Sequence, residues 1–202
     1  MAKVNIFFFY PNLIGYIRII LALLSWYFMY KYPSWWAILL YILSTSMDML
    51  DGYLARICKQ TSHFGALLDQ IIDRCALLGL LMLFCYLYPS WILFFQMVAM
   101  LDISSHWLYL HTAALSGAKT HKASQNPILN YYYTSKPFFF MMCFGKEAFY
   151  ILLYINTFWT GPPLFGISLI KYMVCLFLPI AFVKSLISIV LLVVGGKSLT
   201  KI

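Results

Sequence analysis

The chain has 202 residues, of which 63% are hydrophobic and only 10% are charged, and its mean hydropathy is +0.84. A soluble domain carries roughly 25% charged residues, so this chain lacks the polar surface that a water-soluble protein needs. The formal net charge is +8, but the lysines and arginines stand singly between apolar runs, which argues against nucleic-acid binding.

Six apolar segments follow one another along the chain and predict six transmembrane helices, because a helix needs about 20 apolar residues to cross a bilayer. The segments cover residues 13–30, 35 into the fifties, 64–88, 91–114, 137 to just before 161, and 168–194. Only helices and closed barrels satisfy their backbone hydrogen bonds in lipid, and the alternating pattern of a barrel is missing. We therefore predict an all-α integral membrane protein of about six transmembrane helices. It forms one domain over residues 1–202, with Pro179 kinking the last helix.

The lysines and arginines of the loops predict how these helices are oriented. One side of the membrane would hold Lys3, Arg56, Lys59, Lys119, Lys122, Lys136, Lys197 and Lys201. The other side would hold little more than Lys31, with Lys171 near the end of a helix. By the positive-inside rule the first side, together with both termini, faces the cytosol. The longest polar loop, residues 116–127, lies on that side and attracts anionic lipid headgroups.

Acidic residues are rare and are concentrated in one part of the chain. There are only six of them, namely Asp48, Asp51, Asp69, Asp73, Asp102 and Glu147. The first four fall within 26 consecutive positions, at the end of the second predicted helix and the start of the third. An ionised carboxylate at membrane depth costs several kcal/mol and persists only with partners. These four residues are therefore the first candidates for a functional site.

The spacing of the four aspartates predicts that their side chains converge. Asp48 and Asp51 are three residues apart, so they share one face of the second helix. Asp69 and Asp73 are four apart and share one face of the third. If the short link between these helices makes them antiparallel, the two faces meet and all four carboxylates come together.

Four carboxylates this close repel one another strongly in a medium of low dielectric constant. The sequence places two arginines beside them, Arg56 and Arg74, and these are too few to neutralise the group. Oxygen ligands of this kind suit Mg²⁺ or Mn²⁺. We therefore predict that a divalent cation binds between the two helices.

Small residues lie close to the aspartates, at Gly52, Ala55 and Gly65. They remove side-chain bulk from the acidic face, which lets a phosphate-bearing ligand come close. The guanidinium of Arg56 is placed to bind the charge of such a ligand. Tight packing of the helices through small residues is the alternative interpretation of the two glycines.

The pattern of these residues resembles the signature of the CDP-alcohol phosphatidyltransferase family. The signature reads D-x-x-D-G-x-x-A-R, then eight residues, then G-x-x-x-D-x-x-x-D, and every position is present between residues 48 and 73. The resemblance implies a metal site made of Asp48, Asp51, Asp69 and Asp73. The last of these would also be the general base. It further implies a cytidine-diphosphate site lined by Gly52, Ala55, Arg56 and Gly65. Thr61, in the link between the helices, either contacts the nucleotide or belongs to a solvated turn.

Other segments resemble the eukaryotic members of this family that use myo-inositol. They are residues 5–7, 11–18, 64–69, 102–108 and 132–137, so the resemblance covers nearly the whole chain. Lys136 departs from it, because arginine is expected there in many relatives and lysine lacks the bidentate fork. The resemblance implies transfer of a phosphatidyl group from CDP-diacylglycerol to myo-inositol with release of CMP. It also implies a homodimer in the endoplasmic reticulum membrane, with a cavity open to the cytosolic leaflet.

The residues alone leave alternatives open. A member of the family could use another acceptor, such as glycerol 3-phosphate or serine, although only Arg74 and Lys136 are evident for binding a phosphorylated one. A cation or proton transporter would explain the aspartates but not the small residues at fixed intervals. An inactive structural membrane protein would have no need of the complete signature. Asp102 and His106, four apart on the fourth predicted helix, bind inositol hydroxyls, support a metal ligand or form a buried polar pair.

Overall fold

A computed structural model describes residues 5–115 and 126–200 of the chain. Within these residues it is built from seven α-helices. They are α1 (Tyr10–Lys31), α2 (Trp35–Ile57), α3 (His63–Leu87), α4 (Ile92–Leu115), α5 (Pro127–Thr134), α6 (Lys136–Phe158) and α7 (Leu169–Leu199). A short antiparallel pairing of β1 (Pro163–Leu164) with β2 (Ile167–Ser168) closes the turn between α6 and α7.

The six predicted segments correspond to the six long helices, which confirms an all-α integral membrane protein. Five of the described helices, all except α2 and α5, are long and apolar enough to cross a membrane. Helix α2 has 23 residues and therefore the length of a span. Its C-terminal half carries Asp48, Asp51 and Arg56, and α3 carries Asp69, Asp73 and Arg74.

Two features differ from the sequence-based prediction. Helix α5 lies partly where the sequence indicates a loop, and it begins because Asn126 Oδ1 accepts hydrogen bonds from the N–H groups of Ile128 and Leu129 at 3.0 and 3.3 Å. Helix α7 continues through Pro179 to Leu199, beyond the predicted end, and the kink at this proline stays a prediction. The basic residues predicted for the loop at 116–125 lie outside the described residues.

The structure divides into two compact units, and the division falls between Tyr86 and Leu87. In the first unit α1 packs against α2. Ser25 Oγ donates to the carbonyl of Ala37 at 2.8 Å, and Ser44 Oγ donates to the carbonyl of Arg18 at 2.8 Å. Such short polar side chains join helices where lipid removes the hydrophobic driving force for association. The prediction of one domain over residues 1–202 stays a prediction.

Gly79 lets α3 approach α1 in this unit. A Cβ atom at Gly79 would lie 2.3 Å from Cε2 and 2.5 Å from Cζ2 of Trp26, inside the rigid indole ring. We expect Gly79→Ala to lower the free energy of unfolding by about 1–3 kcal/mol, as overpacking does. Thermal unfolding in detergent measures the loss. The second substitution Trp26→Leu is expected to restore part of it, and an undiminished loss in the double variant would contradict this packing.

The second unit is built from α4 to α7, with α7 packed against both α4 and α6. Its core contains Tyr109, Leu129, Tyr132, Met142, Ile187 and Leu191. Two buried lysines lie in the helices of this unit. Lys146 Nζ is 2.5 Å from Asp102 Oδ1, which joins α6 to α4. Lys184 donates to the hydroxyl of Tyr132 and lies over its ring, 4.5 Å from the centroid. Ion pairing and cation–π contact offset the cost of burying these charges.

Candidate active site

The four aspartates of α2 and α3 converge in the first unit. Asp48, Asp51 and Asp69 each offer one carboxylate oxygen, and these three oxygens lie within 4.8 Å of one another. Asp51 is buried, whereas the side chains of Asp48, Asp69 and Asp73 are 43%, 39% and 34% exposed. Asp51 is therefore shielded from solvent, whereas the other three carboxylates are partly accessible.

Arg18 of α1 lies at the centre of this group. Its Nη1 is 2.6 Å from Asp51 Oδ2, 2.9 Å from Asp69 Oδ1 and 3.2 Å from Asp48 Oδ1. Its Nη2 donates to Asp73 Oδ1 at 2.7 Å. The guanidinium therefore contacts all four carboxylates, and its fixed fork of donors is suited to this arrangement.

The prediction that Arg56 and Arg74 are the basic residues near the aspartates is incomplete, because it omits Arg18, which contacts all four. Arg74 Nη2 is 3.9 Å from Asp73 Oδ2. The missed signal is an arginine inside the apolar run of the first helix, where a charge is costly and persists only with a partner. Arg18 Nε also donates to the carbonyl of Ser44 at 3.2 Å, so the side chain is fixed along its length.

A cavity of about 220 Å³ adjoins the aspartates. It brings together the five residues predicted for nucleotide binding, Gly52, Ala55, Arg56, Thr61 and Gly65. Asp51 and Asp69 line it as well, whereas Asp48 and Asp73 do not. The N-terminal part of α1 contributes Pro11, Asn12 and Gly15, which belong to a segment of the resemblance but were not predicted to line the site. The cavity therefore joins a pocket of small and polar residues to two of the four carboxylates.

The link between α2 and α3 forms one wall of this cavity. Helix α2 ends in a Schellman motif, in which the N–H of Gln60 bonds the carbonyl of Ala55 at 3.0 Å and Lys59 has a positive φ of 53°. Ser62 Oγ accepts from the N–H of Gly65 at 2.9 Å and starts α3. Gln60 Oε1 accepts from the N–H of Tyr10 at 2.9 Å, which fixes the start of α1 to the link.

Lys59 occupies a position that usually holds glycine, because a Cβ atom is strained at this backbone conformation. We expect Lys59→Gly to raise the free energy of unfolding by about 1 kcal/mol. Thermal unfolding in detergent measures the gain. Lys59→Ala removes the same charge and keeps the strain, so an equal gain in that variant would assign the effect to charge and contradict this prediction.

The two glycines of the cavity have different surroundings. A Cβ atom at Gly65 would lie 2.8 Å from Asn12 Oδ1 and 3.1 Å from Ser62 Oγ, so this glycine permits close packing of the protein. A Cβ atom at Gly52 would meet only the guanidinium of Arg56, at 3.7 Å or more. Packing therefore accounts for Gly65, whereas space for a ligand remains the interpretation of Gly52.

A sequence model of the CDP-alcohol phosphatidyltransferase family matches residues 8–195. The chain belongs to the CDP-alcohol phosphatidyltransferase family. It is 44% identical over 202 residues to the CDP-diacylglycerol–inositol 3-phosphatidyltransferase of Rattus norvegicus, covering 98% of this chain and 94% of the relative. The enzymes of the same name in Drosophila melanogaster and Schizosaccharomyces pombe are 40% and 34% identical, with 98% of this chain and 88% and 91% of the relatives covered. No solved structure matches.

The side chains that converge in this CDP-alcohol phosphatidyltransferase fit a divalent metal. The three carboxylates of Asp48, Asp51 and Asp69 are hard oxygen donors from two helices, which is the ligand set that Mg²⁺ and Mn²⁺ prefer. Asp73 does not belong to this trio, and its oxygens contact Nη2 of Arg18 and lie near Arg74. Its predicted role as a metal ligand stays a prediction.

Asp102 and His106 have partners within the second unit. Asp102 is 3% exposed and pairs with Lys146, and His106 Nδ1 is 2.8 Å from the carbonyl of Asp102. Ser105 Oγ donates to the same carbonyl at 3.1 Å. Of the three interpretations of these residues, the contacts favour a buried polar group.

Proposed function

We propose that the chain is a phosphatidylinositol synthase, which transfers the phosphatidyl group of CDP-diacylglycerol to myo-inositol and releases CMP. The observation that carries this proposal is the convergence of the four signature aspartates, two of which line the cavity that also contains Gly52, Ala55, Arg56, Thr61 and Gly65. The reaction class follows from the family, and the choice of inositol follows from the names of the relatives.

In this proposal the cavity binds the cytidine diphosphate of the donor. Arg56 supplies positive charge for its phosphates, and Gly52 leaves room for them beside Asp51. Asp48, Asp51 and Asp69 hold Mg²⁺ or Mn²⁺. When bound, the cation neutralises charge that develops on the phosphate oxygens. Many side chains along the outer faces of α2 and α3, such as Met49, Tyr53 and Ile71, are exposed and apolar, as a lipid donor in the bilayer requires.

Asp73 is the proposed general base. A hydroxyl near neutral pH is a poor nucleophile, so a base must take its proton as it attacks. The inositol oxygen forms a bond to the phosphorus that carries the diacylglycerol, and the bond from that phosphorus to the CMP oxygen breaks. The proton passes to Asp73, whose Oδ1 is held by Arg18 while Oδ2 lies 3.9 Å from Arg74. Arg18 orients the carboxylate so that Oδ2 is left to receive the proton.

The release of CMP by the purified protein tests this proposal. We expect release from CDP-diacylglycerol that requires myo-inositol and Mn²⁺ or Mg²⁺ and that stops with a chelator. Asp69→Asn is expected to abolish it, and Glu147→Gln, which changes an acidic residue of the second unit, is the matched control. CMP release that requires glycerol 3-phosphate or serine instead would keep the reaction class and show that inositol is not the acceptor. No release with any acceptor from a folded sample would contradict the proposal and favour a cation carrier.

We further propose a homodimer in the endoplasmic reticulum membrane whose active site faces the cytosol. Lys59 in the link beside the cavity and Arg56 in the last turn of α2 support this orientation through the positive-inside rule. Cys58 lies in that link and is exposed. The test uses a variant in which Cys58 is the one remaining cysteine. In sealed microsomes, before any detergent is added, we expect a membrane-impermeant maleimide to label it. Labelling that appears only after permeabilisation would place the site in the lumen.

A further inference from the structure

Arg18 is the most deeply buried charged side chain in the described part of the chain, with 1% of its surface exposed. In the mechanism above only its Nη2 has a role, which is to hold the carboxylate of Asp73. Burial of a charge at membrane depth is costly, and such a residue is a candidate for function by default. Its partners are four carboxylates and the carbonyl of Ser44.

The contacts of Nη1 coincide with those of the metal site. Nη1 lies 2.6–3.2 Å from oxygens of Asp48, Asp51 and Asp69, the same three side chains whose oxygens lie within 4.8 Å of one another. A Mg²⁺ ion lies about 2.0–2.1 Å from its oxygen ligands. A cation bound through the three oxygens that Nη1 contacts would compete with Nη1 for them.

The other donors of Arg18 have partners outside this trio. Nη2 donates to Asp73 at 2.7 Å, and Nε donates to the carbonyl of Ser44 at 3.2 Å. The hydroxyl of Ser44 in turn donates to the carbonyl of Arg18 at 2.8 Å. These bonds retain the side chain beside the cluster when the contacts of Nη1 are given up.

We propose that Arg18 is a positioning residue, whose guanidinium holds the aspartates of α2 and α3 together until a divalent cation takes over the contacts of Nη1. The inference rests on the proposed function, because it takes the cation to be the cofactor of the reaction. Without a counter-charge the four carboxylates repel one another. The guanidinium lowers their formal charge from −4 to −3, so the ligands stay assembled while the site keeps its attraction for a cation.

This exchange predicts how stability depends on metal. In a chelator, Arg18→Met is expected to unfold at a lower temperature than the wild type, because the repulsion is uncompensated. In saturating Mn²⁺ the gap is expected to narrow, since the cation takes over the neutralisation and binds only the folded state. The dissociation constant for Mn²⁺ is expected to fall roughly tenfold or more, because a neighbouring positive charge has been removed.

Two further variants complete the test. Lys146→Met also removes a buried cation from an aspartate, but in the second unit, and its gap in unfolding temperature is expected to be the same with and without Mn²⁺. Arg18→Lys keeps the charge without the fork and is expected to show a smaller gap of the same kind. If Arg18→Met does not fold, the unfolding temperatures of Arg18→Lys with and without Mn²⁺ provide the test.

In one contradicting outcome, the unfolding temperature of the wild type rises in Mn²⁺ while the difference between it and Arg18→Met stays the same or widens. That result would overturn this inference and leave the proposed function standing. It would make Arg18 a structural residue or a partner that supports metal binding. A folded wild type whose unfolding temperature does not respond to Mn²⁺ or Mg²⁺ would overturn the proposed metal chemistry and this inference with it.

Discussion

Asp73→Asn is expected to lower kcat for CMP release by roughly 10²–10⁴-fold, which is the contribution of general base catalysis. Asparagine keeps an oxygen that can accept from Arg18 Nη2, now 2.7 Å from Asp73 Oδ1, but it cannot take a proton at neutral pH. Asp73 does not belong to the trio of carboxylates. The rise in unfolding temperature that Mn²⁺ causes should therefore be retained.

Asp69→Asn is the matched comparison for this variant. Asp69 belongs to the trio and lines the cavity, so its replacement is expected to abolish both CMP release and the Mn²⁺-dependent rise in unfolding temperature. Full activity in Asp73→Asn would remove Asp73 as the base. Loss of the Mn²⁺ response in Asp73→Asn would make Asp73 a metal ligand, as the family signature implies.

Gly52→Ala is expected to stabilise the protein and to impair the enzyme. A Cβ atom at Gly52 meets only the guanidinium of Arg56, at 3.7 Å or more, so the substitution causes no clash. Replacing a glycine inside a helix by alanine gains about 0.5–1 kcal/mol. The new methyl group would nevertheless narrow the cavity beside Asp51. We therefore expect a higher unfolding temperature together with a KM for CDP-diacylglycerol raised roughly tenfold, or about 1.4 kcal/mol.

Gly196→Ala in α7 is the control for this effect. Its Cβ atom would meet only Leu108 Cδ2, at 4.0 Å, and it is expected to raise the unfolding temperature by a similar amount without changing KM. Unchanged KM in Gly52→Ala would show that Gly52 is not close to the donor. Destabilisation in Gly52→Ala would support the alternative in which this glycine serves helix packing.

The positions of the helices and the convergence of the aspartates could be predicted because both depend on local sequence. Apolar runs of about 20 residues have few alternatives in a membrane. Intervals of three and four residues place the aspartates on one face of each helix, and a short link brings the two faces together. The five residues predicted for nucleotide binding lie in the same part of the chain, between Gly52 and Gly65, whereas the cavity residues of α1 lie far from it in sequence.

Arg18 was missed because its role depends on contacts between distant positions. It is 33 residues from Asp51 and 55 from Asp73 in sequence, and no interval along α1 indicates which helix its side chain faces. Helix α5 was missed for a local reason, since the capping amide of Asn126 and the following Pro127 also occur in turns. The packing role of Gly65, like the role of Arg18, depends on a distant residue, because only the structure reveals that Asn12 lies opposite it.

Incorporation of labelled myo-inositol into lipid by the purified protein tests the central claim most directly. The assay would contain CDP-diacylglycerol and Mn²⁺ in detergent, with CMP measured in the same samples. We predict equal amounts of inositol lipid and CMP, both lost with a chelator and in Asp69→Asn. CMP formed without inositol lipid, or neither product from a folded sample that binds Mn²⁺, would contradict the assignment of phosphatidyl transfer to inositol.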